Sequence, residues 1–275
     1  MHPPAPLSRH VVDGLGVIRR RPDTVAAGPA VVLVHGAMDR SASFGRSMRR
    51  LGELDVCAYD RRGYATSIDG GISPTLDDQA ADLLAVVDWM GCDTVVVVGH
   101  SLGGTVAMRL VERSPGSALG LGVFESPVPS LASYRSDGAD IALAAAERGG
   151  PEAAAEAFYR LVVGDAVWDG LRQSDRDLRR AEGVQLVAEL TDLRRPTGSP
   201  DPDAIDLPVV VGAGDASPAA WRDSARELST RLPDATYLEL PGAGHGAHLT
   251  HPDEFARYVR TCVDRATATS GASGG

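Results

Sequence analysis

Apolar residues along this 275-residue chain fall into short runs separated by helical patterns. The runs at 30–34, 55–59, 94–98, 120–124, 207–211 and 236–240 have strand length and little polar alternation, as strands buried on both faces do. Between the second and third, Leu76, Ala80, Leu83, Leu84 and Val87 recur at helical spacing behind the cap candidates Ser73 and Thr75. Trp221, Ala225, Leu228 and Leu232 repeat the pattern after Ser217-Pro218. Phe255, Tyr258, Val259, Cys262 and Val263 repeat it after Thr250 and Pro252, so both helices are expected to cover a sheet face. Such alternation predicts βα units and a mostly parallel sheet. Residues 10–12 and 15–20, joined by Asp13-Gly14, predict an opening hairpin.

The rhythm fails over 126–206, where alanine-rich helical stretches are punctuated by Gly149-Gly150-Pro151, Gly164, Gly170, Gly183 and Pro196. The expectation is a helical cap inserted at 126–206 into an α/β core of 8–125 and 207–265, with flexible termini at 1–7 and 266–275.

Composition narrows the chemistry. A formal charge of −10 argues against a nucleic-acid or anionic-membrane partner. All 27 basic residues are arginine, so a catalytic lysine, a Schiff base and a P-loop are excluded. No apolar run reaches the roughly 20 residues that cross a bilayer. The proline-rich start and Arg19-Arg20-Arg21 lead into no apolar export segment, which sets a cytoplasmic expectation. Cys57, Cys92 and Cys262 lack metal or redox spacing and read as lone thiols.

Gly99-His100-Ser101-Leu102-Gly103 breaks a β-branched run and precedes a helical pattern, the setting of a nucleophile elbow. Gly271-Ala272-Ser273-Gly274-Gly275 fits the same G-x-S-x-G pattern, but no strand or helix frames it, so context selects Ser101. A serine hydroxyl needs an imidazole to take its proton and a carboxylate to orient that imidazole. His245, in a glycine-rich loop after the last apolar run, is the expected base. Asp215, just past the preceding run, is the expected acid, and Glu125, after the run at 120–124, is the alternative acid. His248 and His251 read as surface or capping residues, and His35 as a buried residue shaping its loop.

These features together resemble the α/β-hydrolase superfamily over roughly residues 8–265. The likeness rests on His35-Gly36 after the first core strand, the stretch from Asp60 to Ser67, the Gly99–Gly103 elbow and the Gly242-Ala243-Gly244-His245 loop. Ala65 stands where the family usually has glycine, which suggests a slightly different turn there. The resemblance implies the α/β-hydrolase fold: a mostly parallel central sheet with helices on both faces and an inserted helical cap. It also implies an oxyanion hole from the backbone N–H groups of Ala37 and Leu102. The expected activity is that of a serine hydrolase acting on a small or medium carboxylic ester, thioester or lactone through an acyl-enzyme. No cofactor or metal is called for, since neither H-E-x-x-H nor G-x-G-x-x-G occurs. A cofactor-free perhydrolase or C–C bond hydrolase, and a catalytically slow signalling receptor, are the alternatives. Met38, Tyr134, Phe158, Tyr159 and Trp168 are candidates to line an apolar pocket or to pack the cap.

Overall fold

The computed structural model describes residues 6–22 and 28–272, and Ser273 of the second pentapeptide lies outside them. The chain opens with β1 (Ser8–Val12) and β2 (Leu15–Arg20), an antiparallel pair turned by Asp13 and Gly14 at φ 48° and 81°. Two positive φ values in a two-residue loop match the twist of the strands it joins. There follow β3 (Ala30–Val34), the one-turn α1 (Gly45–Met48), β4 (Val56–Tyr59), α2 (Leu76–Met90), β5 (Val95–His100), α3 (Leu102–Arg113) and β6 (Gly120–Phe124). After a helical stretch come β7 (Val209–Gly214), α8 (Ala219–Arg231), β8 (Ala235–Leu240), α9 (Ala247–Thr250) and α10 (Pro252–Ala272).

The eight strands form one sheet in the order β1-β2-β4-β3-β5-β6-β7-β8, parallel from β4 to β8. Period-2 geometry sorts its central side chains onto two faces. Val32, Val34, Val95 and Val97 join the core beneath α2 and α3, while Val31, Leu33, Val96 and Val98 join the core that includes Phe255, Tyr258 and Val259 of α10. Each such buried side chain contributes about 1.5–3 kcal/mol relative to exposure. Thr75 is the N-cap of α2: its hydroxyl accepts from the Asp78 amide and the Asp78 carboxylate accepts from the Thr75 amide. Gly91 closes the helix in the left-handed conformation.

Two expectations change. The tail from 266, expected to be flexible, is instead helical as far as Ala272, and Ala266 is buried against Gly120, where an added Cβ would come 2.7 Å from the Ala266 Cβ. Ala65 takes φ 46°, so the glycine-like turn is kept and alanine bears its strain.

Residues 126–206 contribute α4 (Asp137–Val163), α5 (Asp165–Gly170), α6 (Gln173–Ala181) and α7 (Gly183–Leu193), and no strand. Gly150, at φ 77°, interrupts α4 before Pro151. The helix α7 is tied to the core by buried charge. The Arg61 guanidinium donates to Glu189 at 2.8 Å, both side chains being at most 2% exposed, and Tyr64 donates to the same carboxylate at 2.6 Å. Leu76 N–H donates to Asp192, and Ser73 N–H to Gln185. Breaking a buried pair leaves an uncompensated charge, so Glu189→Gln is expected to lower unfolding free energy by about 3–5 kcal/mol, measured by denaturant titration.

Candidate active site

The parallel strands deliver their carboxyl ends to one edge, and the chemistry-bearing residues collect there. Ser101 follows β5 with φ 52° and ψ −130°, a strained conformation for a residue with a Cβ. Its amide donates to the Phe124 carbonyl at 2.8 Å, which locks the turn to β6. The neighbours must be bare. A Cβ at Gly99 would collide with Gly104, one at Gly103 with the carbonyls of Val34 and His35, and one at Gly36 would come 2.9 Å from Ser101 Cβ. Leu102 begins α3, so its N–H has no acceptor within the helix and lies at the positive end of the helix dipole. Ala37 is half-buried on the neighbouring loop, and the next carbonyl, of Met38, accepts from Arg179 of α6 at 3.0 Å.

His245 is half-buried, and its Nδ1–H donates to Glu125 Oε2 at 2.7 Å. The Glu125 side chain is fully shielded, and its second oxygen accepts from the Gly214 amide at 2.8 Å. Glu125 itself sits at φ 45° immediately after β6, which turns its carboxylate inward. The expected pairing of Asp215 with His245 is therefore corrected: Glu125 occupies that place. Strand β7 runs on to Gly214, so Asp215 emerges exposed, where it accepts from the Gly242 amide at 2.7 Å and braces the start of the histidine loop. Burial pushes the His245 imidazole below its ordinary value, and the Glu125 carboxylate opposes that shift. Among the described residues the Ser101 hydroxyl makes no hydrogen bond, so no serine–histidine hydrogen bond is closed in this conformation.

Three neighbours were not legible as parts of the site. Trp221, expected to cover the sheet, is 37% exposed and stands edge-on to His245 at 3.9 Å between ring centroids. His248, expected in a surface or capping role, is 2% exposed and donates from Nε2 to Asp39 at 3.0 Å, tying the Ala37 loop to the His245 loop. His100 Nε2–H donates to the His245 carbonyl at 2.7 Å. Above the edge, Met38, Tyr64 and alanines of α4 pack with Ala37, Phe158 and Tyr159. Trp168 is buried against Tyr159 under Arg160 and Arg180, and Tyr134 packs on the main core.

His35 is fully buried, with Nδ1–H donating to the Gly36 carbonyl at 2.7 Å and Nε2 accepting from the Arg61 amide at 2.8 Å. Both bonds require the neutral ring, and burial together with the Arg61 charge pushes it down to about 4. An unfolded histidine takes its proton near 6.5, so between those values the unfolded chain binds more protons. Unfolding free energy is therefore expected to be full above about pH 6.5 and to fall towards pH 4, with a shallower slope in a His35→Asn variant.

Comparison with known proteins agrees with this architecture. The chain is 26% identical over 263 residues to polyketide synthase ThaQ of Burkholderia thailandensis, a match covering 90% of this chain but only 12% of that protein. It is 28% identical over 222 residues to a non-heme haloperoxidase of Rhodococcus erythropolis, covering 72% and 78% of the two chains. The fold superposes on the enol-lactonase from Burkholderia xenovorans LB400 with a TM-score of 0.70 at 19% identity, over 94% of this chain and 100% of that one. The sequence model of the alpha/beta hydrolase family matches residues 31–258, a span that holds the Ser101 turn, Glu125 and His245, and the chain belongs to that family.

Proposed function

We propose that the protein is a serine hydrolase that cleaves a small or medium carboxylic ester, or a related thioester or lactone, through an acyl-enzyme. The observation that carries this reading is the buried Glu125 carboxylate, held by the Gly214 amide on one oxygen and accepting from His245 Nδ1 on the other beside the strained Ser101 turn. Glu125 fixes the tautomer that leaves His245 Nε2 free to take a proton. Ser101 Oγ attacks the substrate carbonyl and passes its proton to that nitrogen. The Ala37 and Leu102 amides hold the oxyanion, each such donor being worth about 2.7–4 kcal/mol. His245 returns the proton to the leaving group, and water, activated by the same imidazole, releases the acid. Helices α4–α7 act as the cap over this edge, and the apolar cluster of Met38, Phe158 and Tyr159 supports an acyl chain rather than a charged substrate.

A fluorophosphonate reporter tests the reading directly: one equivalent is expected on Ser101 by peptide mass spectrometry, together with turnover of p-nitrophenyl esters graded in acyl length. Absence of labelling in folded protein overturns it, and tight ester binding without turnover assigns the site to a receptor. Likeness to a bifunctional esterase/perhydrolase of Acinetobacter calcoaceticus, 38% identical over 76 residues and 28% of this chain, favours one second reading, perhydrolysis, in which hydrogen peroxide replaces water at the acyl-enzyme. Peracid formation from an ester and peroxide separates the two outcomes.

A further inference from the structure

Beside the Ser101 turn, three side chains meet from separate parts of the chain: Asp39 from the loop after β3, His100 at the end of β5 and His248 in α9. One ligating atom from each lies within 4.8 Å of the others. His100 and His248 are 4% and 2% exposed, and their rings are 4.3 Å apart. Existing hydrogen bonds decide where the protons sit. Because His100 Nε2 donates to the His245 carbonyl, its Nδ1 presents a bare lone pair, buried and without a partner among the described residues. A buried acceptor left without a donor is destabilising. Gly36 keeps space open beside it, since a Cβ there would come 3.4 Å from His100 Nδ1. On the other side, His248 Nε2 and Asp39 Oδ2 stand 3.0 Å apart and share one proton.

We propose that Asp39, His100 and His248 form a binding site for a divalent transition-metal ion of the zinc type. The ion takes His100 Nδ1 and replaces the proton between Asp39 and His248, whose imidazole then carries its proton on Nδ1. Two neutral imidazoles and one carboxylate are a zinc donor set, whereas calcium and magnesium need more oxygen ligands. Bonds of about 2.0–2.2 Å place tetrahedral ligand atoms roughly 3.3–3.5 Å apart, a spacing that the 3.0 Å His248–Asp39 pair is already near, and one ligating atom of each residue lies within 4.8 Å of the others, so a small inward movement completes the set. Asp39, whose side chain is 21% exposed, supplies that movement and the path from solvent. The His245 carbonyl on His100 Nε2 orients that ligand from behind, as outer-shell acceptors do in metal sites.

Chelator-treated full-length protein titrated with zinc chloride in a calorimeter tests this. One equivalent is expected to bind, and cobalt(II) at the same stoichiometry is expected to give the visible bands of a low-coordinate nitrogen–oxygen site. His248→Gln and Asp39→Asn, each checked for fold by circular dichroism, should weaken binding about tenfold or more, and His251→Ala should leave it unchanged. Absence of binding, undiminished binding in folded His248→Gln or Asp39→Asn, or loss of binding in His251→Ala alone would overturn the site. None of these readouts requires that the protein hydrolyse an ester.

Discussion

Ser101→Ala is expected to fold as the parent does and to lose hydrolysis by about 10⁴-fold or more, since nucleophile and base act as a unit. The fold survives because the turn is held by backbone, through the Ser101 amide on the Phe124 carbonyl and the bare positions at Gly36, Gly99 and Gly103, and alanine at φ 52° meets no strain that serine does not. The activity is expected not to survive because the variant lacks the hydroxyl that the proposed reaction uses as its nucleophile. Initial rates on a p-nitrophenyl ester, with melting curves for both proteins, give the comparison. A folded variant retaining kcat removes Ser101 from the chemistry.

Exchanging the carboxylates for amides separates their roles. Glu125→Gln is expected to lower kcat by about 10⁴, because a glutamine can present an N–H to Nδ1 and select the wrong tautomer. Asp215→Asn is expected to cost far less, since it alters only an exposed brace on the Gly242 amide. The pH profile adds a second readout. Burial sets the His245 base below the ordinary histidine value, so kcat/KM should rise along an acid limb centred below pH 6.5. Glu125 opposes that shift, so its removal should carry the residual limb to still lower pH. A limb moved upward, or a larger loss in Asp215→Asn, would reverse the assignment.

Much of the frame was legible because it is written in local chemistry. Valine runs without polar alternation place β3 and β5 at the centre of the sheet, and Asp13-Gly14 names its own turn. The elbow glycines are required by contacts that any serine in that turn would meet. The acid was harder, because the choice between Glu125 and Asp215 depends on where two strands stop. Reading β7 to end at Val211 left Asp215 pointing over the edge, whereas three further residues of strand carry it out to solvent. The Asp39–His248 pair joins residues 209 apart, and nothing local to either announces the other. Trp221 obeys the 3.6 period of α8, yet it sits in the first turn, where the apolar face has run past the sheet and meets His245.

The buried anchoring of α7 bears on how a substrate enters. Glu189, Gln185 and Asp192 fasten that helix to Arg61, Tyr64, Ser73 and Leu76, while α6 buries none of its residues and α4 is interrupted at Gly150. Local opening draws on the least protected elements, so amide hydrogens of α6 should exchange with solvent long before those of α7. The proposed cap is then expected to behave as a leaf hung along one edge, with α7 as its fixed side and α6 as the side that loosens first.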